Sequence, residues 1–175
     1  RYYNGIKRHI RDNDTIWIHD YQLMLLPALI RADHPEATIG FFLHTPFPSF
    51  ELFRTLPWRA ELLDGVLGAD QVGFHIYEYT RHFQSSVFRI LGHESKMGSI
   101  VSGDHLVHTD AFSLGVDFTA YAKLRKTQDV QQRLERLTRE ADGRPVVLSI
   151  DRLDPARGIL QKIEVIETLF RQHPE

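Results

Sequence analysis

Short β-rich apolar runs alternate with segments of helical period along this chain, and that alternation constrains the fold more than any other feature. Thr15–His19, residues 38–43, Gln71–Phe74 and residues 105–112 read as strands, with a fifth over 146–150 (Val-Val-Leu-Ser-Ile). Between them, residues 22–32 keep a helical pattern. Tyr79, Phe83, Val87 and Ile90 recur at helical spacing until Leu91-Gly92, where glycine stands in its usual place past a helix end. Strands that alternate with helices imply a parallel sheet covered by helices. The expected class is therefore α/β, and all-helical or all-β packing is excluded.

The character of the chain changes after Gly115-Val116-Asp117. Val130, Leu134, Leu137 and Ala141 form an apolar stripe among Arg, Gln, Glu and Lys, the pattern of a solvated amphipathic helix. Asp142-Gly143-Arg144-Pro145 breaks it. A new apolar strand follows, then Ile159, Ile163, Ile166 and Phe170 at helical spacing. The boundary between two domains is placed between Asp117 and Pro145. No internal repeat or low-complexity tract is evident.

The 175 residues are 42% hydrophobic and 25% charged, a globular composition, and suggest one domain or parts of two. Twenty-one basic against twenty-three acidic side chains give a net charge of −2, so no global field draws nucleic acid or an anionic membrane, and an anion site must be local. The absence of cysteine removes disulfides, thiolate nucleophiles and Cys-ligated zinc. No apolar run approaches the ~20 residues of a membrane span. The N-terminus has neither a signal-peptide pattern nor a methionine, as expected of a soluble piece of something longer.

In an open α/β sheet, ligands bind beyond the carboxyl ends of the strands. Those positions hold His19-Asp20, His44, His75 and Asp151-Arg152. Asp20 suits either a site or a helix cap. His44 suits either a packed position or a ligand contact, and prolines 46 and 48 restrict the backbone just after it. His75 reads as structural. The richest segment is Asp151-Arg152-Leu153-Asp154-Pro155-Ala156-Arg157-Gly158. It joins an apolar strand to an apolar-striped helix and puts Arg152, Arg157 and Lys162 near the helix start. Cations there oppose the helix dipole, and a bound phosphate gives them a reason; ion pairs with Asp151 and Asp154 are the alternative. Walker, G-x-G-x-x-G, G-x-S-x-G and H-E-x-x-H motifs are absent, and no residues stand at a specific metal-ligand spacing.

Several runs, taken together, resemble one family. Trp17-Ile18-His19-Asp20-Tyr21-Gln22-Leu23-Met24-Leu25-Leu26-Pro27 is similar to the HDYxLMLLP segment of the trehalose-6-phosphate synthase family. Gly40-Phe41-Phe42-Leu43-His44-Thr45-Pro46-Phe47-Pro48, Phe53-Arg54-Thr55-Leu56-Pro57-Trp58-Arg59 and Leu67-Gly68-Ala69-Asp70 with Gly73-Phe74-His75 follow in the family's order. So do Tyr79-Thr80-Arg81-His82-Phe83, Gly115-Val116-Asp117 and Asp151-Arg152-Leu153-Asp154. The resemblance covers most of the chain from about Asp14 onward.

It implies a two-domain, GT-B-type glycosyltransferase with Rossmann-like parallel sheets, helices on both faces, and domains facing across a cleft. Such enzymes transfer glucose from a nucleotide sugar, usually UDP-glucose, to glucose-6-phosphate with retention, yielding trehalose-6-phosphate. No cofactor and no metal are implied. The partners implied are those two substrates, with no nucleic acid and no membrane, a cytoplasmic setting, and a homo-oligomer as one option for the full-length protein. Residues 1–117 correspond to the later part of the acceptor-side domain, 118–144 to a connecting helix and turn, and 145–175 to the opening strand and helix of the nucleotide-sugar domain. Transfer is not expected of the 175 residues alone, and their uncovered apolar helix faces would favour self-association. By resemblance, Asp20 and Tyr21 bind the acceptor sugar, His44 orients the transferred glucose, and Arg152 and Arg157 hold the departing diphosphate. Retention without a double-displacement nucleophile suggests front-face attack. The family usually carries tyrosine and lysine where this chain has Pro155 and Arg157. That departure keeps relatives with another acceptor in view, such as glucosylglycerol-phosphate synthases and cyclitol-coupling enzymes. A non-catalytic regulatory subunit of a trehalose-synthesising complex is the reading from a different class.

Overall fold

The structure is a computed structural model that describes residues 2–11 and 13–173. Contacts divide the chain into two compact units, Arg1–Val116 and Asp117–Glu175.

In the first unit, α1 (Tyr2–Ile6) precedes β1 (Thr15–His19), α2 (Leu26–Asp33), β2 (Thr38–Phe42), α3 (Phe50–Phe53), α4 (Arg59–Val66), β3 (Gln71–Phe74) and α5 (Tyr77–Leu91). Three further strands follow, β4 (Ser95–Lys96), β5 (Ser99–Ser102) and β6 (His105–Ala111). The described residues form one six-stranded sheet in the order β1-β2-β3-β6-β5-β4, flanked by helices. The first three strands and β6 run parallel, as the alternation predicts. β4 and β5 add an antiparallel ribbon to the β6 edge, so the sheet is mixed. The alternation of apolar runs does not reveal this ribbon: its strands are only two and four residues long, and the cue is the turn at Met97-Gly98, where φ is +50° and +82°.

Period-two burial explains the core. Ile18, Phe41, Val72 and Thr109 stand in register across four strands, and all four are buried. Ile39, Phe74 and Val107 join them, covered by Leu26 and Ile30 of α2, Leu63 and Val66 of α4, and Phe83 and Val87 of α5. The glycine after α4 lets two backbones touch. A Cβ at Gly68 would lie 2.3 Å from the backbone nitrogen of Ala28. Arg31 then fastens α2 to the start of β3, donating to the carbonyl oxygens of Ala37 (2.6 Å) and Gly68 (3.2 Å) and to the Asp70 carboxylate (2.8 Å). Asp70 also accepts from the backbone N–H of Ile39 at 2.6 Å.

Three sequence expectations in this unit need adjusting. The helix predicted over 22–32 begins at Leu26, with Pro27 in its first turn, and Tyr21–Leu23 form a separate 3-10 turn. The strand expected over 38–43 closes at Phe42 and that over 105–112 at Ala111.

The second unit holds α6 (Phe118–Leu124), α7 (Gln128–Ala141) and α8 (Ile159–Gln172). Asp117 caps α6 by accepting from the backbone N–H of Ala120 at 2.8 Å. The strand expected over 146–150 is not formed: those residues pair with no strand, and Val147 is 79% exposed. The physical reason is pairing. A strand is stable only when its N–H and C=O groups meet another strand, and the described residues of this unit contain none.

Candidate active site

The carboxyl ends of β1, β2 and β3 place three imidazoles in a row. His19 closes β1 and pairs in register with Phe42 of β2. Nδ1 of His19 and Nε2 of His44 share a hydrogen bond of 3.0 Å, and the two rings lie 22° from parallel with centroids 5.2 Å apart. His75 follows β3 with its ring 5.5 Å from that of His44 and 5.0 Å from that of Phe42. The three rings do not converge on a common point. Among the described residues, no group of three His, Asp or Glu side chains could hold a metal ion.

The backbone around these rings is fixed by packing. After β2 the chain runs through His44-Thr45-Pro46-Phe47-Pro48, and Phe47 is buried against Phe53, Phe74 and Phe83. Burying such a ring contributes about 1.5–3 kcal/mol, enough to anchor a loop whose two prolines already restrict it. His82 of α5 adds a contact of 3.1 Å from Nδ1 to the Phe47 carbonyl oxygen. Phe42, which supports both His44 and His75, can lie over β3 because position 73 is glycine. A Cβ there would stand 2.7 Å from Phe42 Cδ2.

Asp20 and His44 lie at the same edge of the sheet. Thr45 Oγ1 donates to Asp20 Oδ1 at 3.5 Å, a long contact that ties the two strand ends together. Asp20 makes no side-chain capping bond, so the helix-cap alternative fails. Its backbone has φ +69° and ψ 169°, a region nearly reserved for glycine. Hydrogen bonds from its N–H to the Phe42 carbonyl (2.8 Å) and from the Leu23 N–H to its own carbonyl (3.2 Å) hold that conformation. Strain of order 1–3 kcal/mol persists only where the surroundings over-determine it, as these two hydrogen bonds do. Tyr21, next in sequence, opens the 3-10 turn and is exposed.

The Asp151–Gly158 segment belongs to the second unit. Pro155–Arg157 form a 3-10 turn, Gly158 is left-handed with φ +61°, and α8 starts at Ile159. The ion-pair alternative holds for one cation: Lys162 donates to Asp151, which also accepts from Ser149 Oγ at 3.1 Å. The Lys162 bond, then the Ser149 bond, hold the Asp151 carboxyl below its ordinary range. Asp154 instead accepts from the Ala156 N–H at 3.0 Å. Among the described residues Arg152 and Arg157 form no salt bridge, and both are exposed.

A family model described as glycosyltransferase family 20 matches residues 1–175. The chain belongs to glycosyltransferase family 20. It is 44% identical over 166 residues to the UDP-forming alpha,alpha-trehalose-phosphate synthase A of Dictyostelium discoideum, covering 95% of this chain and 23% of that protein. Among solved structures it matches the N-terminal domain of Candida albicans trehalose-6-phosphate phosphatase, with TM-score 0.83, 39% identity, and coverage of 99% of this chain and 38% of that one. A UDP-forming synthase from Burkholderia xenovorans in complex with glucose-6-phosphate matches with TM-score 0.82, 25% identity, and coverage of 98% and 38%. The chain thus spans between about a quarter and two-fifths of the family members it matches. Among the described residues of this family 20 chain, no helix is long and apolar enough to cross a membrane.

One feature of the site escaped the sequence reading. Sequence alone marks His19 only as a strand end beside Asp20, because its bond to His44 joins residues 25 positions apart. The available signal was that both stand at the carboxyl ends of strands adjacent in a parallel sheet.

Proposed function

We propose that the full-length protein transfers glucose from UDP-glucose to glucose-6-phosphate with retention, forming trehalose-6-phosphate. The observation that carries this reading is the 44% identity, over nearly the whole chain, to a synthase named as UDP-forming. Residues 1–117 supply the later part of the acceptor-side domain, 118–144 connect, and 145–175 open the nucleotide-sugar domain. The 175 residues alone carry only part of that machinery and are expected to turn over no substrate.

The family resemblance supplies each residue's role, and the chemistry of the side chain suits it. Asp20 accepts hydrogen bonds from acceptor hydroxyls, from a backbone held in one conformation by its own hydrogen bonds. Tyr21 adds an exposed ring and hydroxyl beside it. His44 orients the transferred glucose near the reacting carbon. Arg152 and Arg157 hold the diphosphate as UDP departs, and preorganised cations stabilise the charge that grows on it. A guanidinium at 157, in place of the usual lysine, can bind phosphate oxygens bidentately. Attack comes from the face the diphosphate leaves, with no metal required, and a phosphate oxygen assists removal of the acceptor proton.

Steady-state assays of the full-length protein test this reading. Loss of one such contact costs about 2.7–4 kcal/mol, so Arg152→Ala is expected to lower kcat by roughly a hundred- to a thousandfold. Arg157→Lys retains activity and Arg157→Ala does not, while Asp20→Asn raises KM for glucose-6-phosphate. Turnover of UDP-glucose at the parent rate by both alanine variants would overturn the assignment.

A second reading rests on one observation: the same fold, at 39% identity, stands as the N-terminal domain of a phosphatase. A full-length protein with no transfer to any sugar phosphate would favour a non-catalytic subunit of a trehalose-synthesising complex.

A further inference from the structure

We propose that His19 is a positioning residue that fixes the ring and the tautomer of His44, so that Nδ1 of His44 faces the transferred sugar as a hydrogen-bond acceptor. This inference rests on the role assigned to His44 above and adds a residue to it.

The geometry accounts for the nitrogens one by one. Nε2 of His44 lies 3.0 Å from Nδ1 of His19, which occupies it. His44 therefore has one ring nitrogen, Nδ1, left for anything else. Its ring is held between neighbours, with Phe42 at 4.8 Å and His75 at 5.5 Å between centroids. The His19 ring is backed in turn by Trp17, two residues earlier on β1, at 4.6 Å. Register keeps these parts together, because β1 and β2 pair His19 with Phe42 and Trp17 with Gly40.

A neutral imidazole carries one donor and one acceptor nitrogen, so a bond between two neutral rings fixes both tautomers at once. If His19 donated from Nδ1, both rings would carry their proton on Nδ1, the form free histidine disfavours in water. If His44 donates from Nε2, both carry it on Nε2, the favoured form. The second arrangement leaves Nδ1 of His44 as a lone pair that accepts from a sugar hydroxyl. Orientation of glucose then depends on a residue that never touches it.

Substitutions at 19 distinguish this from plain packing, because the Asn amide overlays Nδ1 of histidine and the Gln amide overlays Nε2. In the full-length protein, His19→Phe keeps an aromatic ring against Trp17 and removes the acceptor. It is expected to lower kcat about 10- to 100-fold, the usual cost of a small misplacement, with KM for glucose-6-phosphate nearly unchanged. His19→Asn should recover most of that loss and His19→Gln should not. Imidazole 15N spectra at about pH 8, where an ordinary imidazole is neutral, read the tautomer without any turnover. The parent should show His44 protonated on Nε2 alone, as should His19→Asn, and His19→Phe should give averaged shifts with the backbone amide spectrum unchanged. Protonation of His44 on Nδ1, or a His44 spectrum unmoved in His19→Phe, would overturn the inference. A fully active His44→Ala protein whose parent still showed the fixed tautomer would instead sink the reading of His44 as a sugar contact.

Discussion

Two apolar pentapeptides of this chain have opposite fates. Ile16 and Ile18 of β1 turn inward beside Phe41 and Ile39, whereas Val146-Val147-Leu148-Ser149-Ile150, the more apolar run, lies unpaired and exposed. Every buried residue described belongs to Arg1–Val116, and none belongs to Asp117–Glu175. Composition therefore does not decide whether an apolar run becomes a strand. What decides is whether neighbouring strands offer a hydrogen-bonding edge and helices offer a cover.

The sharpest way to break that contrast is to truncate one large side chain in each unit. Phe74 is 1% exposed and packs between Phe47 and Phe83, so Phe74→Ala should destabilise the first unit by about 3–5 kcal/mol. Leu148 is 78% exposed, and Leu148→Ala should stay within about 0.5 kcal/mol. Both tryptophans, Trp17 and Trp58, lie in the first unit, so urea unfolding followed by their fluorescence reads it selectively. Equal shifts in the two variants would contradict the contrast.

A smaller effect probes how the first unit closes its helical layer. Gly68→Ala drives a methyl into the backbone of Ala28, which cannot swing aside as a side chain can. Separating α2 from α4 should cost roughly 1–3 kcal/mol in the same measurement, like other overpacked sites. It should also weaken the Arg31 bond to the Gly68 carbonyl, which amide exchange near α2 would report. Unchanged stability would show that the two helices have slack there.

β1, β2 and β3 were legible because each is a short apolar run with a histidine at or just beyond its carboxyl end, His19, His44 and His75. Thr15–His19 and Gln71–Phe74 stand where the pattern puts them. The β4–β5 ribbon was illegible because Ser95-Lys96 and Ser99–Ser102 are too short to show a period, although Ile100 is buried. Residues 146–150 stand unpaired because the pattern reports only the propensity of a run, and pairing is a property of its neighbours. At the candidate site, strand-end logic found Asp20 and His44, and the family resemblance supplied their roles. It could not find the +69° φ of Asp20, since aspartate there is strained and no local sequence signal demands it. Nor could it find His19 as the partner of His44, which requires the register between two strands.

The smallest expected effect tests what holds the second unit's loop where a core is lacking. The Lys162 ammonium donates to the Asp151 carboxylate, and with the Ser149 hydroxyl it holds that group below its ordinary range. A group whose folded value is depressed contributes above its unfolded value, here near 3.8, and the contribution is lost as pH falls through the lowered folded value. The Asp151–Gly158 loop should therefore keep its amide shifts down to about pH 4 and change them only in more acid solution. Lys162→Met should raise the Asp151 titration, followed by its carboxyl 13C resonance, back toward 3.8. The amide shifts of β1, β2 and β3 should stay put in both experiments, because apolar burial rather than this ion pair holds those strands. A carboxyl midpoint unmoved in Lys162→Met would leave the salt bridge without a role in ordering the loop that carries Arg152 and Arg157.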